Sequence, residues 1–352
     1  METAVRGRGG PRVTPTDTAL EVELPDAPAI PGLRFRRFRD ASDWAALAHL
    51  HKLAAIADND DEIPSAENLR IELEHRPNFV VSRDMVLAEV DGQLIAEANG
   101  SVSIRDGKPV HMLWGRVHPD WRRRGIGRAL FRWNERRGRD RAAAEPEFGG
   151  PTAVIGGFAS EFEPGAEALF ESEGYRAFRY AFTMIHRHVR DAEPIPMPAG
   201  LEIRPVTADQ HRTIMNADDE AFQDHFEHRP LTEDDFVAWF SQPDLDTSLW
   251  KIGWDGDQVA GGILTTIWKE ENETLRVKRG WLESVFTRRP WRRRGLARAL
   301  IGATLVELRE RGIEEALLGV DAENPTGALA LYEGLGFEVK VRTKRYRKPL
   351  ES

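Results

Sequence analysis

The 352-residue sequence has no cysteine. That absence removes disulfides, thiolate metal sites and cysteine nucleophiles together. Long hydrophobic runs are missing too, since no stretch approaches the roughly 18 apolar residues needed to cross a bilayer. The opening METAVRGRGGPRVTPTDT has arginines with no hydrophobic block behind them, so no secretory leader is expected there and a cytoplasmic location is. An excess of basic charge is also lacking. Lys+Arg 49 against Asp+Glu 58 leaves a net charge of −9 at pH 7, which repels nucleic acid and anionic membrane from the chain as a whole. A bound anion must therefore meet a local patch. What remains, 41% apolar and 30% charged residues, is the balance of a globular chain, long enough for two domains of roughly 150 residues.

The chain contains a repeat that keeps its order. WRRRGIGRAL (Trp121 to Leu130) returns as WRRRGLARAL (Trp291 to Leu300). GLRFRRF (Gly32 to Phe38) is echoed by GLEIRPV (Gly200 to Val206), and VLAEVDGQLIAEA (Val86 to Ala98) by WKIGWDGDQVAGGIL (Trp250 to Leu264). The first pair reads as opening strands and the second as hairpins turning at Asp91-Gly92 and Asp255-Gly256, because Asp-Gly tolerates the positive φ angles of tight turns. Further strands follow at Val110 to Val117 and Gly280 to Thr287, each leading into the arginine-glycine run. Helix, glycine stop and strand close both halves, at Ala168 to Ile185 and Ala330 to Tyr346. Prolines in Arg190 to Gly200 mark a linker. The expected organisation is an arm at 1–31, in which ALEVEL (Ala19 to Leu24) is compatible with an edge strand, then domains at 32–189 and 201–352 about a linker at 190–200.

In each repeated run an alternating strand gives way to helical spacing: Ile126, Ala129, Leu130 and Trp133 in one copy, Leu296, Ala299, Leu300 and Ala303 in the other. Where a strand becomes a helix, backbone N–H groups lack intrahelical partners and share the positive end of the helix dipole, which suits a phosphate. Small residues at 125, 127, 295 and 297 let an anion approach. The triplets Arg122, Arg123, Arg124 and Arg292, Arg293, Arg294 add positive charge. A dinucleotide fingerprint would need a third glycine and a Walker loop a Gly-Lys-Ser/Thr, and neither is present. His225 and His228 have i,i+3 spacing beside Asp224, but no third ligand accompanies them, so no metal is expected.

A strand followed by Arg-x-x-Gly-x-Gly/Ala (Arg122, Gly125, Gly127; Arg292, Gly295, Ala297) and an amphipathic helix resembles the acetyl-coenzyme A motif of the GCN5-related N-acetyltransferase (GNAT) family. The tandem arrangement resembles the mycothiol synthase type of double acetyltransferase, from about Gly32 to Leu350. The resemblance implies an α/β (α+β) protein of two tandem GNAT domains, each a twisted, mixed but mostly antiparallel sheet flanked by helices. It also implies acetyl-CoA as cosubstrate. The binding residues would be Val285, Phe286, Thr287, Arg292, Arg293, Arg294, Gly295, Leu296, Ala297 and Arg298 in the second half, with Val117, Arg122, Arg123, Arg124, Gly125, Ile126, Gly127 and Arg128 as the first-half equivalents.

The second half alone has the family's late signature, GVDAENPTGALALYEGLGF. Asn324 is expected to cap the last helix, Pro325 to sit in its first turn and Gly336 to end it. By the resemblance Asn324 contacts the coenzyme and Tyr332 protonates its departing thiolate; Tyr332 also falls in line with Ala328, Leu331 and Leu335, which is the spacing of a core position. In the first half Phe170 and Phe162 align with Tyr332 and Asn324, and phenylalanine donates no proton. An amine acceptor arrives as its ammonium ion and needs a base. Glu283 is the best placed carboxylate, where the first half offers only His111, Met112, Leu113 and Trp114. Backbone N–H from the strand around Val285 would stabilise the oxyanion. The acidic stretch Asn216 to Pro230, with Asp218, Asp219, Glu220 and Asp224, suits a cationic acceptor or an alternative base, and equally a solvated helix face.

The expectation is therefore an acetyl-CoA-dependent N-acetyltransferase acting on a primary amine of a small molecule or peptide. Catalysis belongs to the second half, and the first half is structural or holds coenzyme without turnover. A monomer is expected and a dimer is compatible; nucleic acid and membrane partners are not expected. The competing reading is a non-catalytic protein with coenzyme A as ligand or structural element.

Overall fold

The computed structural model describes residues 20–324 and 327–350. Twelve strands among them form one sheet in the order β1-β2-β3-β4-β5-β12-β6-β11-β10-β9-β8-β7. The first half supplies β1 (Leu33–Arg36), β2 (Met85–Val90), β3 (Gln93–Arg105), β4 (Lys108–Val117), β5 (Val154–Ser160) and β6 (Arg176–His186). The second supplies β7 (Glu202–Arg204), β8 (Lys251–Asp255), β9 (Gln258–Thr266), β10 (Arg279–Thr287), β11 (Glu315–Asp321) and β12 (Glu338–Pro349). Only β4·β5 and β10·β11 are parallel; the other pairings are antiparallel.

The helices are α1 (Asp43–Ala57), α2 (Ala66–Glu74), α3 (Val81–Asp84), α4 (Ile126–Ala144), α5 (Pro164–Ser172), α6 (His211–Phe222), α7 (Glu233–Phe240), α8 (Lys269–Leu275), α9 (Leu296–Glu310) and α10 (Ala328–Glu333). The spacing read in the repeated runs is the buried stripe of the two long helices, with Ile126, Ala129, Leu130 and Trp133 on α4 and Leu296, Ala299 and Leu300 on α9, where Ala303 is only half-buried and Leu305 and Leu308 continue the stripe.

The first hairpin turns where expected, with Asp91 at φ +51° and Gly92 at +80°, both left-handed as a tight two-residue turn requires. In the second, Asp255 still pairs with Gln258, so the turn is Gly256-Asp257, one residue later than the sequence reading, with Gly256 alone at positive φ. Within ALEVEL, the stretch compatible with an edge strand, Glu21 makes one bridge to Arg36; Ala19 lies outside the described residues.

The halves exchange their last strands. β12 lies between β5 and β6, antiparallel to both, while β6 pairs with β11. The cores follow the exchange. Tyr346 of β12 is fully buried among first-half residues Leu113, Ile155, Phe170 and Tyr175, and Met184 of β6 is buried among Leu282, Leu318 and Val320. Each half therefore completes the other's core. The segment between them is packed as well, Ile195 lying so close to Gly302 of α9 that a Cβ there would meet it at 2.8 Å.

Candidate active site

The two parallel strand pairs have different shapes. β4 runs against β3 in unbroken register from Lys108 to Val117. β10 does not: its register against β9 shifts between Leu282 and Ser284, so Glu283 is an extra, bulged residue. Consistently, Met112, the last β4 residue paired with β5, is one residue closer to Trp121 than its counterpart Trp281 is to Trp291. A bulge kinks the strand and re-aims the side chain it carries. Beyond Trp281 the parallel pairing stops, and a Cβ added to Gly319 of β11 would meet nothing within 4 Å. On the first-half side a Cβ at Gly157 of β5 would lie 3.0 Å from the Leu113 carbonyl oxygen and 2.7 Å from Phe170. The second wedge is open and the first is filled. Phe170, aligned with Tyr332, stacks on Tyr346 at 4.9 Å with planes 4° apart.

The two arginine-glycine loops are near copies in backbone. Arg123 and Arg293 both have φ +60°, and Gly125 and Gly295 have +89° and +85°. Left-handed residues alternating with ordinary ones turn successive N–H groups inward, which makes an anion nest. The N–H groups of Arg293, Arg294 and Gly295 donate to no acceptor among the described residues. The first arginine of each triplet braces its loop: Nε of Arg122 donates to the Val117 carbonyl at 3.0 Å and that of Arg292 to Thr287 at 3.1 Å. Their charges are already answered, Arg122 by Asp58 at 2.6 and 2.7 Å and Arg292 by Asp224 at 2.9 Å. The triplets are thus less cationic than their sequence suggests. Around the first loop Arg124 covers Trp121, Arg128 pairs with Glu173, and Pro28 of the arm rests where a Cβ on Gly125 would meet it at 3.4 Å.

A cavity of about 1070 Å³ opens from the second loop. Its lining takes in Glu283, Val285, Phe286, Thr287, Arg292, Arg293, Gly295, Leu296, Ala297, Arg298, Asn324 and Tyr332, and none of Val117 or Arg122 to Arg128. Arg294 lies outside it, donating to the Ala199 carbonyl at 3.4 Å. Asn324 is in the cavity wall but does not cap the helix: α10 starts at Ala328 with Gly327 at φ +76° as its cap, and the Gly327 N–H reaches the Asn324 carbonyl at 3.5 Å. Pro325 lies outside the described residues. The Gly336 stop, at φ +89°, is as expected.

Glu283 faces the cavity with protein packed around the rest of it. Although the side chain is open to the cavity, the protein packed around it raises its carboxyl to about 7, opposed by the Trp268 indole N–H donating at 2.7 Å. Tyr332 is only 5% exposed, and burial pushes its phenol up to about 12. Its hydroxyl has no hydrogen-bond partner among the described residues, although the ring packs on Phe337 as its core spacing foretold. A protonated phenol and a carboxyl near neutrality are suited to giving and taking a proton respectively.

The acidic stretch behaves differently from its sequence reading. Glu220 pairs with Arg288 at 2.7 Å, Asp224 with Arg289 and Arg292, and Asp219 accepts from the Leu231 N–H at 2.9 Å and contacts His228 at 3.0 Å. Three of its carboxylates are thus spent on the protein's own cations and turns. Asp218 is the exception. Burial raises it to about 7, and it accepts from the Ser284 hydroxyl, next to Glu283. No group of three or more His, Asp or Glu among the described residues could hold a metal, and no described helix is long and apolar enough to cross a membrane.

Sequence reasoning missed the first half's contribution. Asn59, Asp60, Asp61, Glu62, Arg116, Phe158, Ser160 and Glu163 line the same cavity. Asp61 is clamped to Arg279 at 2.7 Å and to Lys340, and this interhalf cluster holds Asp60 and Glu62 at the cavity wall. Burial, reinforced by Asp60, raises Glu62 to about 7. The acidic run from Asn59 to Glu62 was the available signal.

Comparison with known proteins agrees with this geometry. The profile of the Acetyltransferase (GNAT) family matches residues 211–337, and that of the Acetyltransferase (GNAT) domain matches residues 82–177. Mycothiol acetyltransferase of Salinispora arenicola is 30% identical over 85% of this chain and 91% of its own length. That of Geodermatophilus obscurus is 28% identical over 85% and 92%. Among solved structures, a GCN5-related N-acetyltransferase from Sphaerobacter thermophilus superposes with a TM-score of 0.67 at 27% identity, covering 92% of this chain and 97% of that one. A tandem GNAT protein from the clavulanic acid biosynthesis pathway shares the fold, with a TM-score of 0.64 at 16% identity over 91% and 99%. Two matched domains, an open wedge beside an unsatisfied anion nest and full-length relatives together place this chain in the GNAT family, as a tandem acetyl-CoA-dependent acyltransferase.

Proposed function

We propose that the chain is an N-acetyltransferase whose second half, 201–352, carries out transfer to a primary amine of a small molecule or peptide. The observation that carries this reading is the asymmetry of the two wedges: one bulged and open beside Glu283 and Tyr332, the other in register and filled by Phe170. Acetyl-CoA supplies an activated acyl group. The free N–H groups of Arg293 to Gly295 and the start of α9 are suited to its diphosphate, and the gap beside Gly319 to its extended arm. Glu283 takes a proton from the acceptor ammonium, and the freed amine attacks the thioester carbonyl. Backbone N–H groups near Val285 are the candidates to stabilise the charge that develops on oxygen. As the C–S bond breaks, Tyr332 hands its proton to the leaving sulfur, where a phenol can serve a thiolate of ordinary pKa about 8.5, and the second proton that the nitrogen sheds as the amide forms restores the phenol. The first half, 32–189, packs against the second, contributes an acceptor wall and binds no coenzyme of its own.

The test is calorimetry with coenzyme A, followed by thiol release from acetyl-CoA in the presence of an amine library. One site per chain and amine-dependent release are expected. Binding without release under any amine would favour the ligand-only alternative, and two equivalent sites would overturn the assignment of roles to the halves.

A further inference from the structure

On the sheet side of the cavity, away from the arginine-glycine loop, the Arg345 guanidinium has no counter-charge among the described residues. The floor of this acceptor chamber is built from the exchanged strands: Phe158 and Ser160 of β5, Val341, Thr343 and Arg345 of β12, with β6 and β11 beyond. Arg345 also lines an adjoining pocket of about 230 Å³. Most other guanidinium groups around the large cavity are engaged. Arg116 pairs with Asp60 at 3.2 Å, Arg289 and Arg292 with Asp224, and Arg298 reaches the Gly334 carbonyl at 3.4 Å. Arg293 belongs to the anion nest. The Arg345 guanidinium has no hydrogen-bond or ion-pair partner among the described residues. Its neighbours across the sheet offer none: Phe158 on β5 is apolar, and Arg179 on β6 is itself a cation, occupied by Asp321 at 2.5 Å and Glu323 at 3.1 Å. His225 in the same pocket is held below the ordinary histidine range, chiefly by burial, so it tends to stay neutral.

A half-buried guanidinium among other cations, without a counter-charge, has a standing cost that an anion would relieve. The chamber also holds the opposite pole. Glu62 and Glu283 have no ion-pair partner among the described residues, Glu283 being bonded only by the neutral Trp268 indole. We propose that Arg345 is a specificity-determining residue that binds a carboxylate of the acceptor, so that the acceptor is a primary amine also bearing a carboxylate, as an amino acid or short peptide does. A single planar fork matches a carboxylate better than a phosphate, whose greater charge calls for more than one donor group. This inference rests on the reading of the chamber as the acceptor site.

The experiment measures binding to the full chain saturated with coenzyme A. The probes are the common amino acids and a set of dipeptides, each paired with its C-terminal amide. At least one free acid should bind about tenfold or more tightly than its amide, and Arg345→Gln should erase that difference while leaving amide binding unchanged. Arg345→Lys should restore part of it. With a turned-over acid, the loss in Arg345→Gln should appear in KM far more than in kcat. The proposal is overturned if no acid outbinds its amide, if the ratio survives in Arg345→Gln, or if that variant instead loses affinity for coenzyme A, which would assign the guanidinium to the coenzyme. Binding without acetyl transfer would sink the enzymatic reading alone; transfer without carboxylate preference would sink this inference alone.

Discussion

Removing the Glu283 carboxylate tests the proposed chemistry most directly. With burial holding this carboxyl near 7, kcat/KM should fall about tenfold per pH unit below that value and level off above it, because only the ionised form accepts a proton. Glu283→Gln should lower kcat/KM by about 10² to 10⁴ at pH 7 and erase the inflection. The deficit should shrink above about pH 8 for an α-amino acceptor, which then arrives deprotonated. Trp268→Phe removes the N–H that favours the charged carboxylate at 2.7 Å. A charge-assisted bond of about 1.5–3 kcal/mol bounds the resulting rise at roughly one to two pH units. That variant should be slow at pH 7 and near wild type at pH 9. Asp218 also titrates near 7 beside Ser284, so Asp218→Asn is the necessary companion and should keep the inflection. Thiol release followed from pH 5.5 to 9.5 reads all four proteins. A Glu283→Gln rate within about threefold of wild type, or an inflection that disappears in Asp218→Asn instead, would refute Glu283 as the base.

Tyr332→Phe should slow transfer about tenfold or more at pH 7, with the loss fading above about pH 9, where a thiolate leaves without help. Its melting temperature should barely move, because the hydroxyl has no partner among the described residues to strand; an equal loss at every pH would argue for packing instead. Gly295→Ala forces a side chain onto φ +85° and should weaken coenzyme A binding about tenfold by calorimetry, whereas Gly125→Ala in the filled half should leave it unchanged. Phe170→Ala should cost about 3–5 kcal/mol in denaturant unfolding by emptying the stack on Tyr346. Asp218 prefers its protonated form when folded, so its contribution is present below about pH 4 and is lost as pH rises through about 7. Wild type should therefore lose melting temperature relative to Asp218→Asn between pH 5 and 8.

Features set by short stretches of chain were legible before the fold was known. Asp91-Gly92 demanded positive φ, the glycines after each arginine triplet demanded a strand-to-helix turn, and apolar spacing after them described the buried faces of α4 and α9. Two copies in matched order signalled two similar units. The contrast of Tyr332 with Phe170 and of Glu283 with its first-half neighbours was readable for the same reason, since alignment within one chain compares like with like. Asn324 as a cap was misread because α10 starts at Ala328, with a left-handed Gly327 as its cap.

The sequence by itself determined the repeated unit, the strand-to-helix turn in each arginine-glycine run and the helical stripe that follows it, because each depends on conformational preferences of neighbouring residues. Only the tertiary structure decided that β6 and β12 change places, that Glu283 is a bulged residue, that Phe170 and Tyr346 close the first wedge, and that the arginines of the loop meet Asp58 and Asp224. Those outcomes depend on which distant segments pair and on how much room remains between them. A cavity walled by Glu62 from one half and floored by Arg345 from the other exists only once both halves share a sheet.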